Sequence, residues 1–135
     1  MQPATGKVPT CLIVEDSEFD QRKMQRIIDR SPLGMQVAVA STLESARLLL
    51  YRTPTALILL DNNLPDGLGA NFALELAQDD RLAAIPIIIV SDWPSPFMWE
   101  KAATAGVRYV LSKSEFDARY VAAALKASKR RRRAH

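Results

Sequence analysis

The sequence predicts an α/β fold, a doubly wound parallel sheet of five strands with helices on both faces. Three observations predict it. Five short runs, TCLIVED, QVAVAS, ALILLD, IPIIIVS and RYVLS, are rich in aliphatic residues and mostly lack polar alternation, as strands covered on both faces should. A segment with helical spacing follows each run. Strand and helix therefore alternate five times, which favours a parallel sheet joined by right-handed crossovers.

The first strand, from Thr10, runs into the acids Glu15 and Asp16. After it, Ser17 to Arg30 places Phe19, Met24, Ile27 and Ile28 on one side, predicting a helix buried along that stripe. Following the second strand, Ser41 and Glu44 have the spacing of a capping box before the run Ala46 to Tyr51. The third strand ends at Asp61, and Leu68 to Gln78 carries Phe72, Leu74, Leu76 and Ala77 at helical spacing. The fourth ends at Ser91, where Pro94 and Pro96 delay a helix expected over Pro96 to Ala105. The last ends near Lys113, before a helix from Glu115 to about Lys129 that repeats Phe116, Tyr120, Val121, Ala124 and Leu125.

With 135 residues, 48% hydrophobic and 24% charged, the chain suits one domain with a core of its own. That domain is expected over 10–128, after a loose leader at 1–9 and before a basic tail at 129–135. No apolar run reaches membrane-spanning length and MQPATGKVPT lacks a signal peptide's apolar stretch, so a cytoplasmic protein with no membrane partner is expected. Lone Cys11 supports no internal disulfide, and a single histidine, His135, argues against a histidine metal site or a catalytic triad. The net charge of +3 is local: taking away the six cations Lys126, Lys129 and Arg130 to Arg133 leaves a body at −3. Without an aromatic or base-reading motif beside it, that run is not expected to bind nucleic acid.

In open α/β sheets, ligands sit beyond the carboxyl ends of the strands. Glu15, Asp16 and Asp61 would gather three carboxylates there and raise one another's pKa. A hard divalent cation resolves that conflict, and few protein oxygens favour Mg²⁺, which keeps several waters. Lys113 could bind a phosphoryl oxygen or Asp61 itself, and Ser91 could donate a hydroxyl hydrogen bond. A carboxylate nucleophile, a metal, a cation and a donor make a phosphoryl-transfer set. Singly, each has a plainer role: acids favour a helix N-terminus, and NNLPDG suits a turn. Four coincidences at four strand ends are what point to a site.

At these residues the chain resembles the CheY-like receiver domains of two-component response regulators, over about residues 8–127. The family's acidic pair corresponds to Glu15 and Asp16, and its phosphoacceptor to Asp61 in LILLDNNLPDGLG, with Pro65 and Gly69 in the usual places. Its Ser/Thr corresponds to Ser91 and its lysine to Lys113, seven positions after Gly106. The resemblance implies a flavodoxin-like (βα)5 fold with strand order 2-1-3-4-5. It further implies that Asp61 takes a phosphoryl group from a sensor histidine kinase or phosphotransfer protein. Asp16, Asp61 and the backbone carbonyl of Asn63 would bind Mg²⁺ directly, and Glu15 through water. Ser91 and Lys113 would hold the phosphoryl oxygens. Movement of Ser91 would then switch binding of a downstream effector, a fused output domain or a second copy of the chain. Such a domain is a phosphoacceptor that loses its phosphoryl group slowly, not a turnover enzyme.

Several residues depart from the family pattern. Asp92 follows Ser91 where the family usually has a small residue, and could repel phosphodonors or cap its loop. Trp93 stands at a variable position that in the family affects loss of the phosphoryl group. WPSP replaces a plain helix start. Val110 falls where the family has a switch aromatic, and Tyr109 should point to the opposite face. Ser114 replaces a proline that forms a cis peptide, so a trans bond is expected, with Ser114 capping the last helix. These departures motivate an alternative, a pseudo-receiver that binds partners without regulation by phosphorylation. A haloacid-dehalogenase-type hydrolase also uses a strand-end aspartate, but its second acid would stand at Asn63. Flavodoxin-like cofactor binding is weaker still, because no Ser/Thr-rich loop follows the first strand.

Overall fold

A computed structural model describes the backbone of residues 8–133 and the side chains of residues 8–127. Residues 1–7 of the expected leader, Ala134 and His135, and the side chains of the basic tail lie outside the described residues.

Strands β1 (Thr10–Val14), β2 (Gln36–Ala40), β3 (Leu57–Leu60), β6 (Ile87–Ser91) and β7 (Tyr109–Ser112) form one parallel sheet in the order β2-β1-β3-β6-β7. Counting only these five gives 2-1-3-4-5, as expected. A two-stranded antiparallel hairpin, β4 (Asn63–Leu64) and β5 (Gly67–Leu68), follows Asp61. The sequence suggested only a turn there.

Five helices cover the sheet: α1 (Glu18–Arg30), α2 (Leu43–Arg52), α3 (Gly69–Ala77), α4 (Pro96–Thr104) and α5 (Ala118–Arg133). Strand alternation divides the core in two. Leu12, Val14, Ile58, Leu60 and Ile89 face α2, α3 and α4, whose Leu43, Ala46, Phe72, Leu76 and Met98 pack on them. Cys11, Ile13, Leu59, Ile88 and Val90 face Met24 and Ile28 of α1 and Val121 and Ala124 of α5. β1, β3 and β6 are buried throughout, whereas the edge strand β2 exposes Gln36 and Val39. The rule of strands covered on both faces fails at that edge.

Helix boundaries bring further corrections. The capping box before α2 lies at Thr42 and Ser45, one residue beyond the expected Ser41 and Glu44: Thr42 Oγ1 accepts the Ser45 N–H and Ser45 Oγ accepts the Thr42 N–H. Asp66 of the hairpin turn adds a second cap, accepting the Leu43 and Glu44 N–H groups at 2.8 and 3.0 Å. On α1, Phe19 is exposed rather than part of the buried stripe. α5 starts at Ala118, not Glu115, because Glu115 closes a turn with Ser112 and Phe116 is spent in the core. Asp117, not Ser114, accepts the Arg119 N–H at its start. α4 starts behind Ser95, whose hydroxyl accepts the Met98 N–H, and ends at Thr104, with the chain turning away at Gly106. There φ is 76°, a conformation glycine adopts without penalty, and the Val107 N–H returns to the Ala102 carbonyl. No described peptide bond is cis, the one after Lys113 included.

Candidate functional site

Strand register assembles the site. Val14 pairs with Ala40 on one side and Leu60 on the other, so β1 and β3 end level. Glu15 and Asp61 therefore emerge side by side, at the point where strand order reverses. Each extends the ladder by one bond of 2.9 Å, Glu15 N–H to the Ala40 carbonyl and Asp61 N–H to the Val14 carbonyl. Ser91 ends β6 opposite Ser112 of β7, and the Lys113 N–H donates to the Ser91 carbonyl at 3.2 Å.

One carboxylate oxygen from each of Glu15, Asp16 and Asp61 lies within 4.8 Å of the other two. Glu15 and Asp61 are buried, while Asp16 is exposed and opens the cluster to solvent. Burial pushes the Glu15 carboxyl up to about 7 against the Ser17 N–H and Lys113, and the charge of Asp61 adds to the rise. Burial also raises Asp61, with the Lys113 charge and the Asn63 and Asn62 amides pulling it back and Asp16 pushing it further up. Asn62 also caps α3, its side-chain oxygen accepting the Ala70 N–H at 2.9 Å.

Buried Glu15 Oε1 faces only the Lys113 ammonium, and among the described residues buried Ser91 Oγ has no hydrogen-bond partner. A buried polar atom left without one is costly, so an orphan here marks a place for a ligand. Three convergent carboxylates, all hard oxygen donors, fit Mg²⁺, and the Ser91 hydroxyl fits an anionic oxygen beside it.

Lys113 reaches the acidic cluster at Glu15 rather than at Asp61. Its ammonium donates to Asp20 Oδ2 at 2.7 Å, lies 2.9 Å from Glu15 Oε1 in contact of charge only, and is 3.6 Å from Asp92 Oδ2. Among the described residues no ion pair within 4.0 Å joins it to Asp61. Burial opposes the charge, but the Asp20 hydrogen bond, the Glu15 contact and the charges of Asp61 and Glu15 outweigh it and hold the ammonium above its ordinary pKa. Asp92 is largely exposed and makes the longest of the three ion pairs to Lys113, and among the described residues no hydrogen bond to its side chain caps its own loop. Asp20 is the site residue that sequence reasoning missed; its only signal was its place, four residues after Asp16 in the first turn of α1.

Val110 is buried toward α4, and Tyr109 turns to the other face, where its ring meets Tyr120 of α5 edge-on with centroids 5.2 Å apart.

Residues 11–126 match the family model for the response regulator receiver domain. The chain belongs to that family. As a receiver domain of two-component response regulators, it is similar to the transcriptional regulatory protein DpiA of Escherichia coli K12, 42% identical over 69 residues. That stretch is 51% of this chain and 30% of DpiA, so the receiver domain matches less than a third of the length of that relative. The rice two-component response regulator ORR8 (Oryza sativa subsp. indica) is 26% identical over 104 residues, 76% of this chain and 85% of ORR8. Among solved structures, a CheY-like receiver domain protein from Methanospirillum hungatei JF-1 shares the fold with a TM-score of 0.80 at 19% identity, covering 93% of this chain and 99% of that one. The receiver domain of a LuxO repressor protein from Vibrio parahaemolyticus superposes with a TM-score of 0.78 at 25% identity, over 96% and 98% of the two chains. Among the described residues no helix is long and apolar enough to cross a membrane.

Proposed function

We propose that Asp61 accepts a phosphoryl group from the phosphohistidine of a sensor histidine kinase or phosphotransfer protein. The observation that carries this reading is the meeting of Glu15, Asp16 and Asp61 oxygens within 4.8 Å at the ends of adjacent strands. In the reaction an Asp61 carboxylate oxygen forms a bond to phosphorus as the bond from phosphorus to the imidazole nitrogen breaks. The electron pair stays on that nitrogen, and the product is an aspartyl phosphate.

Asp16, Asp61 and the Asn63 carbonyl would hold Mg²⁺, with Glu15 supporting it, and the ion when bound would supply positive charge against the transferred oxygens. The Ser91 hydroxyl, buried and without a hydrogen-bond partner among the described residues, donates to one of those oxygens. Lys113 supplies a cation to another. Asp61 is consumed in each cycle and regenerated by slow hydrolysis, so the chain acts as a phosphoacceptor and not as a turnover enzyme. Its state is passed to a downstream effector, a fused output domain or a second copy of the chain.

The test is intact mass after incubation with Mg²⁺ and acetyl phosphate. A phosphoryl adduct that vanishes in Asp61→Ala is expected. No adduct in the wild type, or one that persists in the variant, overturns the reading. The exposed Trp93, Phe97 and Trp99 around the start of α4 favour a second reading, an interaction module indifferent to phosphorylation. Partner binding unchanged by Asp61→Asn and by chelation of Mg²⁺ would favour it.

A further inference from the structure

The contacts of Lys113 ask more of the site than the phosphoacceptor reading needs. Three carboxylates compete for one ammonium, and the best-placed of them, Asp20, lies outside the acidic cluster. Asp20 is the third residue of α1, and its backbone N–H is held by the Ser17 hydroxyl at 3.3 Å. Its carboxylate therefore starts from a fixed point on the helix. Among the described residues that carboxylate has no hydrogen bond or ion pair besides Lys113. Both partners are largely enclosed, with side chains 12% exposed for Lys113 and 19% for Asp20, so water screens the pair poorly.

We propose that Asp20 is a positioning residue that holds Lys113 at the Glu15 edge of the acidic cluster, away from Asp61, until a phosphoryl group on Asp61 draws the ammonium inward. The inference rests on the phosphoacceptor reading and deepens it. A phosphorylated Asp61 presents oxygens of higher charge than its carboxylate, and Lys113 is tethered close by through the Lys113 N–H bond to the Ser91 carbonyl. The ammonium need only swing on its four-carbon stem, giving up Asp20 for a phosphoryl oxygen. Asp20 thereby weakens retention of the phosphoryl group and ties the first turn of α1 to the unphosphorylated state. Asp92, at 3.6 Å and with its side chain 61% exposed, is the weaker competitor.

The experiment is calorimetric titration with beryllofluoride, a phosphoryl mimic that binds carboxylates, in excess Mg²⁺. Removing a charge-assisted hydrogen bond that competes for Lys113 is expected to tighten binding in Asp20→Asn by roughly fivefold. Glu18→Gln removes the same charge from an exposed position of the same turn without touching Lys113, and is expected to leave affinity within about twofold. Asp20→Ala repeats the test without an amide that could take over the hydrogen bond. Unchanged or weaker binding in both Asp20 variants overturns the inference, as does equal tightening in Glu18→Gln. If Asp20 only braces the helix, urea unfolding will shift while beryllofluoride affinity stays the same, and that too overturns it. A wild type that takes up neither beryllofluoride nor a phosphoryl group overturns the phosphoacceptor reading itself, whereas normal uptake with unaltered Asp20 variants overturns only the role of Asp20.

Discussion

Gly69 shows how closely single residues are fitted around Asp61. The first residue of α3 runs against the backbone of the strand end, and a Cβ built there would overlap the Asp61 carbonyl oxygen and press on Asn62. Its φ is ordinary, so the demand is for space rather than for a left-handed conformation. Gly69→Ala is expected to destabilise the fold by about 2 kcal/mol or more, since the obstacle is backbone and cannot rotate away. Urea unfolding measures that loss, and uptake from acetyl phosphate in the folded fraction should fall as Asp61 is displaced. At this scale much of the candidate site could be read in the sequence: Glu15, Asp16, Asp61 and Ser91 each end a strand, and level strand ends leave little choice about where they meet. The partner of Lys113 could not. Asp20 approaches from a helix, and only the tertiary packing that brings the first turn of α1 to Lys113 decides which carboxylate the ammonium reaches.

Elements are joined here by side chains from their neighbours more than by their own ends. α2 is capped from within by Thr42 and from outside by Asp66, which hangs the β4–β5 hairpin on the helix N-terminus. The Leu43 N–H hydrogen bond, ahead of the Glu44 N–H and the Arg47 charge, holds the Asp66 carboxyl below its usual pKa. Because the folded value is depressed, its stabilising effect is present above the unfolded value of about 4 and fades as pH falls through the folded one. Asp66→Asn should therefore lower the melting temperature at neutral pH and flatten its decline below about pH 4, which thermal unfolding across pH can check. Arg47 adds a bidentate pair with Glu75 of α3 and lies over the Phe72 ring, but both ends are exposed and worth only about 0.5 kcal/mol. A capping box was expected here, but neither the Asp66 cap nor the Arg47 pair was visible beforehand. The hairpin strands have two residues each, too few for a pattern, and the S/T-x-x-E spacing at Ser41 fits a capping box as well as the true pair one residue later. Similarly, Glu115 to Asp117 continues the helical period of α5 yet serves as a turn, because Ser112 competes for the backbone.

For the molecule as a whole, the aliphatic runs specified the architecture well because a parallel sheet buries both faces of its central strands. They misled at the sheet edges, where one neighbour is missing: β7 is half-buried at its ends and β2 exposes Gln36 and Val39. The same enclosure governs Cys11, which lies within β1 between its two sheet neighbours and has no exposed surface. Burial alone pushes its thiol far above the ordinary range, so the native chain holds it unreactive. Alkylation by a maleimide should then proceed only as fast as the sheet comes apart, and beryllofluoride with Mg²⁺ should slow it if both bind the folded state. An unaltered rate would separate ligand binding from global opening. The chain's single sulfhydryl thus doubles as a clock for its own unfolding, readable by mass spectrometry without attaching any probe.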